Sequence, residues 1–216
     1  MLNSKKIAVI GAGWFGCFIA NSLINKGYHV DVYEKNNDIF KNASGNNQNR
    51  LHLGFHYPRS KKTIMQSKEG FLKFKKELGD FSKKIFQNYY FISSSKKTKT
   101  DFKTYKETYR RFDIDFNELD LDKITFLKNI DGGIKCNEEL LLFNIAKKYY
   151  KKKLRKYLFL KKLVKKISKK NNKYKIFNKE YDFVINCSWM QYSEFTKNNF
   201  TYEFCLMLKY KAKKKK

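Results

Sequence analysis

The sequence predicts an α/β fold in which a βαβ unit opens the chain and a β-meander stands near its end, with antiparallel strands between them. Three observations predict it. Residues 7–20, IAVIGAGWFGCFIA, run from a β-branched stretch through GxGxxG into a stretch with helical spacing. Residues 163–187 alternate strand-like runs with turn residues. A chain of 216 residues with 42% hydrophobic content is also long and apolar enough to bury a sizeable core.

The first element is a short strand over 6–10, followed by Gly11-Ala12-Gly13-Trp14-Phe15-Gly16. Helical spacing of Phe18, Ile19 and Leu23 predicts a helix over 17–25, Lys26-Gly27 ends it, and residues 29–33 alternate into a second strand closed by Glu34. Each glycine has a separate task. Gly11 permits a tight turn, Gly13 lets backbone approach a pyrophosphate, and Gly16 lets the helix pack closely on the strand. The helix N-terminus offers N–H groups and the positive end of its dipole to phosphate. Glu34, 18 residues after Gly16, stands where a carboxylate accepts from ribose hydroxyls. The apolar run behind Lys5 and Lys6 also resembles a secretory leader, or a lipoprotein leader ending at Cys17, but the strand, turn, helix and second strand continue as one unit.

Residues 42–60, NASGNNQNRLHLGFHYPRS, begin as a loop and then turn strand-like. If 50–56 is extended, Arg50, His52, Gly54 and His56 share one face, with Leu51, Leu53 and Phe55 opposite. That face suits a flavin edge, a carboxylate substrate or both, and equally a solvated strand with idle histidines; Tyr57 and Arg59 flank the only proline. No third ligand stands near the two histidines, so no metal site is expected.

Further along, residues 61–78 read as an amphipathic helix through Ile64, Phe71, Phe74 and Leu78. Residues 85–94 read as a strand and 101–112 as a helix. Asp131-Gly132-Gly133 reads as a turn, followed by a helix from about Asn137 with Leu140, Leu141, Ile145 and Tyr149 facing the core. The basic run 147–170 reads as a solvated helix face followed by a strand.

The formal charge of +28 raises the prospect of a polyanionic partner. It comes from 43 lysines against 5 arginines, in a chain also rich in Asn, Ile, Phe and Tyr, which is what an A- and T-rich genome encodes. No specific nucleic-acid partner is therefore expected, arginine being the usual residue for bidentate phosphate and guanine contacts. Cys17, Cys136, Cys187 and Cys205 form no CxxC pair and read as reduced thiols of a cytoplasmic protein. No apolar stretch reaches the roughly 20 residues of a membrane span.

The combination of IAVIGAGWFGCFIA, VDVYEK and ASGNNQNRLHLGFHYPRS resembles the FAD-dependent oxidoreductases of the D-amino-acid oxidase family, also called the glycine oxidase or DAO family. The resemblance implies a Rossmann-like FAD-binding domain of the glutathione-reductase type, with a β-meander and part of an antiparallel substrate domain. It places FAD-binding segments at about 5–60 and 160–195, and partial substrate-domain segments at about 80–135 and 200–212. For FAD it implies Gly11, Gly13, Trp14, Phe15, Gly16, Glu34 and Lys35, more loosely Ser44 and Asn47, and in the meander Val164 and Ser188, with Cys187 and Trp189 nearby. Arg50, His52, His56 and Tyr57 would lie near flavin or substrate. The implied reaction is oxidation of an amine- or hydroxyl-bearing small molecule by hydride transfer to flavin. Family members usually run longer, so a truncated chain, or one needing a separately encoded C-terminal half, is expected. A nicotinamide-dependent dehydrogenase and a basic RNA- or anionic-surface-binding protein are the alternatives.

Overall fold

The computed structural model describes residues 5–124 and 127–189. They fall into two compact units, one holding residues up to Gln48 and from Asn144 onward, the other Asn49–Phe143.

The first unit begins with β1 (Lys6–Ile10), whose Ile7, Ala8, Val9 and Ile10 are all buried, as a central strand covered on both faces requires. Helix α1 (Trp14–Asn25) starts three residues earlier than helical spacing indicated. Its buried side is the small-residue row Gly16, Cys17 and Ala20 rather than Phe18, Ile19 and Leu23, which are half-buried. A small row lets the helix axis sit close to the strand. The helix ends as a glycine-terminated turn: Gly27 has φ +84°, its N–H donates to the Ile24 carbonyl at 2.9 Å, and the Tyr28 N–H donates to that of Leu23 at 3.1 Å. Strand β2 (His29–Tyr33) then pairs with β1 in parallel.

The second unit opens with β3, which is only Arg50–Leu51. The extended run expected to His56 stops because Gly54 takes φ +110° and turns the chain; a Cβ there would lie 3.1 Å from the Ile64 Cα. Two buried tyrosines hold this turn, Tyr105 donating to the Phe55 carbonyl at 2.9 Å and Tyr109 to that of Gly54 at 3.0 Å. Helix α2 (Lys61–Leu78) is capped by Ser60, whose Oγ accepts from the Thr63 N–H. A short 3-10 turn leads to β4 (Ser82–Lys84), then come β5 (Tyr89–Ser93) and α3 (Phe102–Arg111), capped by Asp101. Strands β6 (Phe116–Glu118), β7 (Ile130–Cys136) and β8 (Glu139–Leu141) complete the unit. Two antiparallel sheets result, β3-β8-β4 and β5-β7-β6. Phe55, Ile64, Tyr105, Tyr109, Ile114, Ile134 and Cys136 form the core.

Two expectations fail here. Asp131-Gly132-Gly133 is the inside of β7, not a turn: the glycines make room for rings, since a Cβ on Gly132 would lie 2.0 Å from the Phe102 ring and one on Gly133 2.7 Å from that of Phe91. The helix expected from Asn137 begins only at Phe143, because Glu139–Leu141 is taken into a sheet between β3 and β4.

In α4 (Phe143–Leu154) the buried residues are Ala146, Tyr150 and Leu154, while Ile145 is 53% exposed, so the inward face is one position on from the one expected. Lysines line the outer face, two of them, Lys147 and Lys151, paired with Asp38 at 2.8 and 3.1 Å. Strand β9 (Leu158–Phe159) joins β2 in parallel. The meander follows as β10 (Ser168–Lys170), β11 (Lys173–Ile176) and β12 (Lys179–Tyr181), with Asn171 and Asn172 both at positive φ in the first hairpin turn. Finally β13 (Phe183–Asn186) pairs with β1, giving a four-stranded parallel sheet in the order β13-β1-β2-β9. Meander and sheet share a core of Ala8, Ile10, Tyr33, Val164, Ile176 and Tyr181. The strand expected over 201–211, the domain segments beyond 189 and Cys205 lie outside the described residues.

Among the described residues no helix is long and apolar enough to cross a membrane.

Candidate functional site

In the first unit, the turn between β1 and α1 is built against the end of β13. Gly11 has φ +96°, and a Cβ on it would meet the Cys187 carbonyl oxygen at 2.6 Å. A Cβ on Gly16 would lie 1.9 Å from the Gly11 carbonyl oxygen, so the first turn of α1 folds back onto the glycine turn itself. At Gly13 the nearest atom is Ser44 Oγ, 3.1 Å from a built Cβ. Ser44 Oγ also accepts from the Trp14 N–H at 2.8 Å, which places the 42–48 loop at the N-terminus of α1. The first intrahelical bond is Cys17 N–H to the Gly13 carbonyl at 3.0 Å, so the Phe15 and Gly16 N–H groups precede it and point out of the helix end.

Glu34 is buried at the end of β2. Its Oε2 accepts from the Ala12 N–H at 2.8 Å, and its Oε1 from the Asn36 N–H and side-chain amide at 2.9 and 2.7 Å. The carboxylate is thereby tied to the glycine turn, and each oxygen keeps accepting capacity. Asn36 is a partner of Glu34 that sequence reasoning missed; an Asn two positions after a strand-ending acid was the available clue. Lys35 is exposed, and Asn47 uses its amide within its own loop, donating to the Ala43 carbonyl at 2.9 Å. Phe15 is 77% exposed, whereas Trp14 stacks on Phe40 with centroids 5.4 Å apart. Val164 is in the core, and Ser188 bonds Asn186 Oδ1 through its N–H and Oγ. A glycine cradle that any Cβ would fill, free N–H groups at a helix end and a fixed carboxylate together fit the pyrophosphate and ribose of a dinucleotide such as FAD.

A separate polar cluster occupies the second unit. At its centre is Glu138, whose side chain is 0% exposed in the bend between β7 and β8. It accepts from the Leu53 N–H and from the Tyr90 hydroxyl, each at 2.8 Å, and pairs with Arg50 Nη2 at 3.0 Å. Burial pushes its pKa up, but the bonds from His52, Tyr90 and the Leu53 amide outweigh that and hold it below the ordinary carboxylate range. Arg50 Nη2 also donates to Asn88 Oδ1, and the guanidinium lies 4.4 Å over the Tyr90 ring. Arg50 Nε is buried with no hydrogen-bond partner among the described residues.

The Gly54 turn, not a continuous strand, brings His52 and His56 together, with ring centroids 4.9 Å apart. His56 also meets the Tyr90 ring edge-on at 5.0 Å. His56 is exposed on one side, and partial desolvation on the other, reinforced by His52 and Arg50, lowers its pKa. Tyr57 is 6.2 Å from His56 and largely exposed, and Arg59 is exposed. Arg50, His52 and His56 are thus gathered, and Asn88, Tyr90 and Glu138 were missed. The sequence clue was an acidic pair, Glu138-Glu139, set directly before an apolar run.

The model of the FAD dependent oxidoreductase family, DAO, matches residues 6–135. The FAD-dependent monooxygenase FPY4 of Fusarium mangiferae is 32% identical over 211 residues, 98% of this chain and 56% of that protein. Over 69 residues, 32% of this chain and 16% of the other, the FAD-dependent monooxygenase kojA of Aspergillus flavus is 44% identical. Among solved structures, L-alpha-glycerophosphate oxidase from Mycoplasma pneumoniae with FAD bound superposes with a TM-score of 0.62 at 17% identity, covering 84% of this chain and 52% of that one. NikD, an amino acid oxidase of nikkomycin biosynthesis, gives a TM-score of 0.68 at 12% identity, covering 89% and 54%. These two likenesses show the fold. The chain spans about half the length of FPY4 and of both oxidases.

Proposed function

Because the chain belongs to the FAD-dependent oxidoreductase family, we propose that it serves the oxidation of an amine- or hydroxyl-bearing small molecule by hydride transfer to flavin. Bound FAD would supply the hydride acceptor. The observation that carries the reading is the joint fixing of Gly13, Ser44 and Glu34 around the N-terminus of α1. In this reading the Phe15 and Gly16 N–H groups and Ser44 hold the pyrophosphate, Glu34 accepts from the adenosine ribose, and Lys35, Asn47, Val164 and Ser188 line the remainder.

Arg50, His52, His56 and Tyr57 are assigned to the substrate. The geometry refines Arg50: with Nη2 engaged by Asn88 and Glu138, its main task is to balance Glu138 rather than to clamp a carboxylate. A nicotinamide-dependent dehydrogenase gives way to the FAD family match. On the lysine-rich face of α4, Lys147 and Lys151 pair with Asp38, and we assign them that structural task rather than polyanion binding.

The test is the visible spectrum of the purified chain with FAD added. A bound-flavin band near about 450 nm is expected, together with its loss in a folded Gly13→Asp variant, where a carboxylate would stand against the phosphates. A band that persists undiminished in that variant would sink the assignment.

A further inference from the structure

The tautomer of His52 is dictated by its neighbours. Its Nδ1 lies 3.4 Å from Glu138 Oε2 and 3.5 Å from the Tyr90 hydroxyl oxygen. Glu138, held in its ionised form by the bonds it receives, only accepts. Tyr90 commits its one proton to Glu138 Oε2 at 2.8 Å, and burial raises its pKa so that the proton stays in place. A hydroxyl whose proton is committed presents a lone pair to any further neighbour. Both groups facing Nδ1 are therefore acceptors, so the proton of the neutral imidazole belongs on Nδ1.

We propose that Glu138 is a positioning residue which, with Tyr90, fixes His52 as the Nδ1–H tautomer and leaves Nε2 as the acceptor for an N–H or O–H group of the substrate. The ligand's class rests on the proposed function, while the tautomer does not. The side-chain exposures agree with a relay rather than a plain core pair: Glu138 is 0% exposed and His52 31%, so the imidazole joins a buried charge to a partly exposed ring. Arg50, paired with Glu138 at 3.0 Å, keeps the carboxylate in place, and His56, edge-on to His52, is the other titratable ring beside it. Where the proton is transferred outright, the substrate N–H or O–H bond breaks and its electron pair stays on the substrate. The Nε2–H bond forms, and Glu138 balances the imidazolium charge.

Glu138 lies beyond the residues matched by the family model, 6–135. The pairing of β8 with β3 aligns Glu139 with Leu51 and so carries its neighbour to the start of the Arg50 to His56 segment.

Ring ¹H–¹⁵N correlation spectra of the ¹⁵N-labelled full chain read the tautomer directly. The three histidines, His29, His52 and His56, are assigned by replacing each with Gln. The expected result is a protonated Nδ1 and a pyridine-type Nε2 for His52. In an Arg50→Met/Glu138→Leu double variant, which removes both charges so that neither is left buried alone, His52 should shift toward the Nε2–H form. A wild-type His52 with its proton on Nε2, or a folded double variant with an unchanged tautomer, would overturn the proposal. If the double variant does not fold, the wild-type spectrum decides alone. No flavin enters the measurement, so its result stands apart from that of the flavin spectrum.

Discussion

The glycine cradle of the first unit and the Glu138 cluster of the second solve different physical problems. The cradle works by leaving side chains out: Gly11 and Gly16 sit where a Cβ would overlap backbone carbonyls, and its one buried charge, Glu34, is satisfied by an amide and an asparagine. The Glu138 cluster works by putting charges in, an arginine and a carboxylate balanced beside the Tyr90 ring. Much of the cradle's fit is between residues close in sequence, Gly16 against Gly11 and Glu34 against Ala12, with Cys187 the distant wall. Charge balance is non-local, Arg50 and Glu138 being 88 positions apart. The two regions should therefore fail differently when disturbed.

The largest effect is expected at the buried pair. Glu138→Ala leaves the Arg50 guanidinium without its counter-charge, and breaking a buried pair from one side costs about 3–5 kcal/mol. Denaturant unfolding should show that loss, and Arg50→Met added to Glu138→Leu should recover most of it. Equal stability losses in the single and double variants would mean that shape, not charge, governs the cluster as it does the cradle.

Next comes Gly16→Ala. Its Cβ would stand 1.9 Å from the Gly11 carbonyl oxygen, a backbone atom that no rotamer change can move away. Overpacking of this kind costs about 1–3 kcal/mol, and here the upper end is expected, with flavin binding lost alongside. Unchanged unfolding would show that α1 slides along the sheet without penalty.

This contrast also explains what was legible in the sequence. The cradle reads off residues 6–34 because glycine spacing, β-branched runs and the terminal acid all act within one βαβ unit. The meander was equally open, since Asn171-Asn172 announces its turn. The second unit was harder. Asp131-Gly132-Gly133 looks like a turn until Phe91 and Phe102 are found lying over the glycines, a requirement set by other elements. Residues 137–149 carry a helical pattern, yet Glu139–Leu141 is claimed by sheet pairing, where tertiary contacts outrank local propensity. Strand alternation puts Arg50, His52 and His56 on one face; the structure does not keep that alternation, but the Gly54 turn still brings the two histidine rings together.

A smaller effect should separate the loop from the helix it braces. Ser44→Ala removes the acceptor for the Trp14 N–H, a cap-like bond worth about 1 kcal/mol. If Ser44 also contacts phosphate, FAD affinity should fall by more than the unfolding free energy does. Titration of the variant with FAD, beside its thermal melt, tests this; a parallel change in both would confine Ser44 to a structural role.

The smallest predicted effect lies in the pH response of the cluster. The His56 pKa is lowered from 6.5, first by partial desolvation of a ring that is still exposed on one side, and then by His52 and Arg50 beside it. The unfolded chain therefore takes up a proton near pH 6.5 that the folded chain resists, so the contribution of His56 is fully present above that pH and declines as the pH falls toward the depressed folded value. His56→Gln should flatten this part of the stability curve while leaving the plateau above it close to wild type. Urea midpoints measured from pH 8 down to pH 5 decide the matter. A wild-type curve as flat as that of the variant would mean that the fold does not favour the neutral His56 ring, and the cluster's charge response would then rest on the Arg50–Glu138 pair.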